Sequence, residues 1–299
     1  ISPIVIPVKQ RAKKANAMKR LVVLTITLIL MAGTCIAQNV IAEPDIDGEA
    51  VAVLNDPAAK ASFEKECITK VVSEETAYAE FYRAARILAI IGSDACVEPL
   101  AALLGHPEKA HLVRNVLEKL PSEKAGEALR AALATTTGAQ RIGVISSLGV
   151  KKDQQATAPL AALLNDPDSE TVSCAANALG AIASSDAIKA LTVLLEKGSA
   201  DTKLSAAKAL LRAASHLQGE PAAIILNQIL ATDMPDMIRA GAFSGLLDAE
   251  PQKALDRIIS TVEGQDELLQ LTAIAALATL NAPDIAKRLA PFMPKLAGN

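Results

Sequence analysis

Residues 160–195 read LAALLNDPDSETVSCAANALGAIASSDAIKALTVLL. Val172, Ala175, Ala176, Leu179 and Ile182 recur at the spacing of an amphipathic helix, and Ala187, Ala190, Leu191, Leu194 and Leu195 do so again. Only Ala183-Ser184-Ser185-Asp186 lies between the two stripes, enough for a reversal of direction. The stretch therefore reads as helix, turn, helix, turn, helix.

This block recurs. Pro99-Leu100-Ala101-Ala102-Leu103-Leu104 returns as Pro159-Leu160-Ala161-Ala162-Leu163-Leu164, and Leu148-Gly149 returns as Leu179-Gly180. A period of roughly 30 residues with two helices each marks an α-solenoid, in which a single unit cannot bury its apolar face alone. The composition agrees: 51% of residues are hydrophobic but only 2% aromatic, with no Trp, two Tyr and four Phe. A core of Ala, Leu, Ile and Val lets helices approach closely.

The predicted architecture is all-α, an α-α superhelix of about seven helical hairpins. Its helices are placed at 76–91 and 93–104, 110–120 and 122–133, 139–148 and 154–164, then the two of the central block. Further pairs follow at 201–214 and 220–230, 236–247 and 251–262, and 266–280 and 283–296. Gly92 is expected to close its helix as a left-handed C-cap. Residues 49–75, with Phe63, Cys67 and Ile68, read as an N-terminal helical cap, residues 38–48 as a linker, and 76–299 as the solenoid.

The first 37 residues read as an upstream extension plus a signal peptide. Met18-Lys19-Arg20 precedes the apolar run Leu21 to Ala32, and Cys35-Ile36-Ala37 supplies small residues for cleavage. Val40-Ile41-Ala42 offers a second cleavage point, and an uncleaved anchor is the alternative, although the run is shorter than the roughly 20 apolar residues of a membrane span. Ala32-Gly33-Thr34-Cys35 matches a lipobox poorly. The expectation is an exported chain, periplasmic or secreted, touching a membrane only through this segment if it is kept.

Six of the 30 basic residues precede the first acid, Glu43, which leaves 24 against 33 acids. An acidic body without a basic stripe argues against nucleic-acid binding. Cys35, Cys67, Cys96 and Cys174 show no metal-binding spacing. Cys174 reads as a small buried hydrophobe; Cys67 and Cys96 are free to pair in an oxidising compartment.

Asp166-Pro167-Asp168-Ser169-Glu170 leading into Ala175-Ala176-Asn177-Ala178-Leu179-Gly180 resembles the short bacterial HEAT repeats, including those called phycocyanobilin-lyase-like. In that family a β-branched residue and an Arg usually open the first helix. Ile238-Arg239 matches both, Gln140-Arg141 and Thr202-Lys203 keep the basic residue, and Thr171-Val172 departs from the pattern. The resemblance covers residues 76–296 and speaks to architecture rather than activity.

The basic residues in register, Arg141, Lys203 and Arg239, are expected to pair with acids of neighbouring repeats such as Asp166, Asp201 or Asp236. His106 and His111 flank Pro107-Glu108-Lys109 without an evident third metal ligand, and His106 takes the turn position of Asp166. Asp166, Asp168 and Glu170 alternate like calcium ligands, yet lack the Gly and length of an EF-hand loop and suit a helix N-terminus. No nucleophile elbow, phosphate loop, dinucleotide fingerprint or His-Glu metal dipeptide occurs, so no catalysis and no cofactor or metal are expected.

The second helix of each pair usually lines the inner curve of such a solenoid. The candidate binding strip there is Lys189, Thr192, Asn227, Gln228, Lys253, Arg257, Lys287 and Arg288. The predicted function is an exported HEAT-repeat scaffold that recruits an unidentified protein through its curved surface. The alternative implied by the resemblance is a bilin-lyase-like enzyme or enzyme subunit holding a tetrapyrrole in the groove. Against it, Phe63, Tyr78, Phe81 and Tyr82 crowd near the start, with Phe243 and Phe292 the other aromatics.

Overall fold

The computed structural model describes residues 46–278, and every regular element among them is helical. The chain divides into two units, Ile1–Glu49 and Ala50–Asn299, the boundary falling within the first described helix, and the packing below is that of the second. The expected signal peptide and most of the linker lie outside the described residues, as does the second helix of the seventh hairpin.

The helices are α1 Ile46–Val53, α2 Pro57–Val72, α3 Tyr78–Ile91, α4 Val97–Ala101, α5 Ala110–Lys119, α6 Glu123–Thr135, α7 Gly138–Val150 and α8 Thr157–Ala162. They continue with α9 Ser169–Ile182, α10 Ser185–Lys197, α11 Ala200–Ala214, α12 Glu220–Leu230, α13 Asp236–Ala249, α14 Ala254–Val262 and α15 Glu267–Leu277. Six hairpins, α3–α4 through α13–α14, are complete among the described residues, and α15 opens a seventh.

Local chemistry starts these helices where the sequence says it should. Asp56 caps α2, its Oδ1 accepting from the backbone N–H groups of Ala58 and Ala59 at 3.0 Å, with Pro57 in the first turn. Asp168, Ser184, Ser199 and Asp266 do the same for α9, α10, α11 and α15.

The hairpins form two rows. The first helices α3, α5, α7, α9, α11, α13 and α15 each pack on the next, and each second helix packs against the first helix of the hairpin that follows. α2, from the expected cap, behaves as a second helix: it packs on α3 and α4. One fully buried leucine stands toward the C-terminal end of each of the first helices α3 to α13: Leu88, Leu117, Leu148, Leu179, Leu210 and Leu246. Leu100, Leu129, Leu160, Leu191, Leu226 and Ile258 form the matching column in the second helices. Each such side chain contributes about 1.5–3 kcal/mol on leaving water.

Between first helices the spacing is set by small residues. A Cβ on Gly149 would stand 2.8 Å from the Cα of Ala178, and one on Gly180 would stand 2.5 Å from the carbonyl oxygen of Ala209. The recurring Leu-Gly of the sequence is therefore a leucine for the core beside a glycine for backbone approach.

Two local expectations are corrected. Gly92 is not left-handed; its φ is −56°. A side chain there would press on the carbonyl oxygen of Leu88, on Leu120 and on the Cys96 sulfur, which explains glycine by space instead. Left-handed residues stand instead at Lys152 after α7 and Ala183 after α9, both at φ 52°. The helices expected at 93–104 and 154–164 are broken: α4 and α8 are entered through 3-10 turns at Asp94–Cys96 and Gln154–Ala156. Pro99 and Pro159 have no N–H to bond the carbonyl four residues back, so the tighter turn is favoured before them.

Gly180→Ala is expected to cost about 1–3 kcal/mol, because the new methyl meets rigid backbone. Gly241→Ala, where a Cβ meets only Leu211 Cδ1 at 3.7 Å, is expected to be neutral or to stabilise by up to about 1 kcal/mol. Denaturant midpoints of the two variants should move in opposite directions or differ by that margin; equal shifts would contradict the packing described.

Candidate functional site: the turn edges and the row of second helices

The turns that lead from each hairpin into the next bring together the residues predicted to pair between repeats. Arg141, the fourth residue of α7, places Nη1 3.3 Å from Asp166 Oδ2 in the turn before α9. Arg239, the fourth residue of α13, bonds Asp266 before α15. Asp166 also accepts from the Asp168 N–H at 3.0 Å. Lys203 holds the same helix position in α11 but makes no ion pair among the described residues; it borders an opening of about 480 Å3 with Asp201, Asp233 and Met234. Two of the three predicted rungs are thus formed with an acid of the next repeat.

The opposite turns, inside each hairpin, build a second ladder that the sequence reading missed. The Ser93 N–H and hydroxyl donate to the buried Glu64 at 2.6 and 2.8 Å, and the Ser122 hydroxyl bonds Asp94. Gln155 Nε2 donates to Glu123 at 2.9 Å, and the hydroxyls of Thr157 and Ser184 lie 3.2 Å apart. Arg130 joins α6 to Asp153 at 2.5 Å, and Lys151 Nζ donates to the end carbonyls of α5, Leu117 and Leu120, at 3.2 and 2.8 Å. Burial lowers the pKa of Lys151. Serine and acid at a one-repeat separation were the available signal, hidden by variation in residue type.

The remaining metal and thiol candidates have structural roles. His106 Nδ1 accepts from the N–H groups of Glu108 and Lys109 at 3.1 and 3.2 Å, as Asp166 does in its own turn, and Nε2 lies 3.8 Å from Glu74. Lys109 is buried there and donates to the Ser73 carbonyl at 2.9 Å. Asp168 accepts from the Thr171 hydroxyl and the N–H groups of Thr171 and Glu170. Cys67 and Cys96 do not pair with each other: Cys96 keeps its thiol, which donates to the Ser93 carbonyl at 3.0 Å. Burial first, and Glu64 second, push that thiol to about 11. Cys174 is half-buried rather than buried. Among the described residues no helix is long and apolar enough to cross a membrane.

On the second helices, Lys189, Asn227 and Gln228 are exposed and Thr192 and Arg257 are half-buried, while Lys253 is exposed in the 3-10 turn that leads into α14. Lys287 and Arg288 lie outside the described residues. The basic character of the strip is largely spent within the chain: Lys189 pairs with Asp186 at 3.0 Å, while Lys253 (2.6 Å) and Arg257 both bond Glu250. These two partners hold the Glu250 carboxyl below the usual carboxylate range. The strip also omits an opening in the row. Between α8 and α10 an opening of about 530 Å3 is walled by Ala161, Ala190, Val193 and Leu194, with Asn165, Lys197 and Thr202 on its rim.

Hydrogen bonds from Thr171, its hydroxyl before its N–H, hold the Asp168 carboxyl below its usual value. A carboxyl with a lowered folded pKa contributes stability that is present above its unfolded pKa of about 3.9 and is lost as pH falls through the folded value. Asp168→Asn is therefore expected to flatten the loss of stability below about pH 4, while costing less than Asp168→Ala at pH 7, because Asn also caps helices. Melting curves from pH 2 to 7 would show it; parallel curves for wild type and Asp168→Asn would exclude it.

Comparison with known proteins places this architecture. Residues 126–211 match the model described as HEAT repeats, and residues 81–106 match the PBS lyase HEAT-like repeat. No curated protein matches the chain. Among solved structures, the chain is similar to one in the complex of CpcE and CpcF of phycocyanin lyase from Nostoc sp. PCC7120, with 24% identity, a TM-score of 0.42, and coverage of 78% of this chain and 94% of that one. It is also similar to human deoxyhypusine hydroxylase in complex with glycerol, with 15% identity, a TM-score of 0.36, and coverage of 74% and 98%. An engineered protein gives 19% identity, a TM-score of 0.40, and coverage of 75% and 71%. Both matching stretches fall on the hairpins described above, so the chain carries HEAT repeats over residues 126–211 and a PBS lyase HEAT-like repeat over 81–106.

Proposed function

We propose that this HEAT-repeat scaffold is exported and, without catalysis of its own, holds a partner protein along its row of second helices. The observation that carries the reading is the character of that row. It is a repeated surface with exposed polar side chains on α10, α12 and α14 and an open groove between α8 and α10. Many weak contacts add along such a surface, which favours an extended partner. Export rests on the charged and apolar run from Met18 to Ala32.

A second reading has one observation in its favour, the match of residues 81–106 to the PBS lyase HEAT-like repeat. In it the chain is a bilin-lyase-like enzyme, or a subunit of one, with a tetrapyrrole in the groove.

The tagged full chain, recovered from the periplasmic or secreted fraction, should carry a stoichiometric partner, and Lys287→Glu with Arg288→Glu should reduce its recovery several-fold. N-terminal sequencing of that material should begin after Ala37 or Ala42. Recovery of the chain only from the cytoplasm with its leader intact would defeat the export reading. Tight uptake of bilin by the purified chain, seen as a shifted visible absorbance band, would favour the second reading.

A further inference from the structure

We infer that the opening between α8 and α10 is a docking groove for an extended segment of a partner protein, one in which an aliphatic side chain is followed by a carboxylate. The inference rests on the scaffold reading above and adds the chemistry of what the scaffold grips.

The groove exists because of residue choice. α8 has six residues and ends in a 3-10 turn, so it does not run the full length of α10 beside it. Ala161 on one wall and Ala190 on the other are too small to close the space between them, which leaves about 530 Å3. Val193 stands on this wall 50% exposed, an apolar surface that the fold leaves in water. An aliphatic side chain seated between the two alanines would cover it.

The rim sets the charge of the occupant. Asp166 is already engaged by Arg141 and by the Asp168 N–H. Lys197, exposed at the end of α10, has no acid paired to it among the described residues. The uncompensated charge at the mouth is therefore positive, and its complement is a carboxylate. Asn165, exposed on the same rim and without a hydrogen bond among the described residues, carries a donor and an acceptor that suit an extended backbone. A single exposed cation adds little to affinity but fixes register and selects the sign of the partner's charge.

The test is selection of a random peptide library, displayed on phage, against the intact chain. Enriched peptides should carry Leu, Ile or Val followed within two residues by Asp or Glu. Ala190→Leu, whose side chain fills the groove, should lower that enrichment at least tenfold, and Lys197→Glu should exchange the selected acid for a base. If Ala190→Leu fails to fold, as its melting curve would report, Val193→Lys at the half-exposed position carries the same expectation of loss. No aliphatic–acidic pattern, or a pattern indifferent to the groove and rim variants, would overturn the assignment. The scaffold reading is judged separately: a partner still captured by the groove variants leaves it standing, whereas a wild-type chain that captures none defeats it.

Discussion

A helix of ten to fifteen residues with an alanine and leucine stripe cannot shield that stripe from water by folding against one partner of the same kind. Each leucine of the two columns, Leu148, Leu179 and Leu210 on one side and Leu160, Leu191 and Leu226 on the other, is buried only because hairpins on both sides contribute walls. The stack is the smallest arrangement that removes these side chains from solvent, and stability is correspondingly a matter of neighbours. The glycines beside the leucines belong to the same requirement. Gly149 and Gly180 let the first helices approach until backbone meets backbone, and a wider spacing would open the column between them.

The polar ladders among the described residues are arranged around that stack. The two edges where the chain turns carry the ladders: Arg141 to Asp166 and Arg239 to Asp266 on one, Ser93 to Glu64 and Gln155 to Glu123 on the other. These bonds each span about one repeat and tie neighbouring hairpins together, and all but Gln155 to Glu123 are partly buried. With the edges committed to holding the stack, the faces are left to meet other molecules. On the row of second helices, α4 and α8 are short and proline-broken.

Much of the fold was legible in the sequence, and the reasons are physical. A repeated apolar spacing of three and four residues, interrupted by Asp, Ser and Gly at regular distances, leaves few alternatives to stacked helical hairpins. The starts of α9, α10 and α11 follow from Asp168, Ser184 and Ser199, residues that cap helices. Less of the candidate site was legible. Lys189 and Arg257 do lie exposed or half-exposed on second helices, and Lys253 on the turn into α14, but their partners Asp186 and Glu250 show that a charge on a surface need not be available to a ligand. The groove at Ala161 and Ala190 was hidden because alanine reads as core or surface alike until its neighbours are placed.

The sequence by itself determined that the chain is helical, that its helices come in pairs, and that the pairs repeat, because those properties depend on spacing and on residues close to one another along the chain. It also determined that Asp168, Ser199 and Asp266 stand where a cap is needed before α9, α11 and α15, and that a basic residue takes the fourth position of α7, α11 and α13. Only the tertiary structure decided why Gly92 is glycine, which acids the arginines find, and where the row of second helices parts. Those outcomes depend on distances between residues some 30 apart in sequence, where a change in one side chain's volume shifts a contact without leaving any local trace.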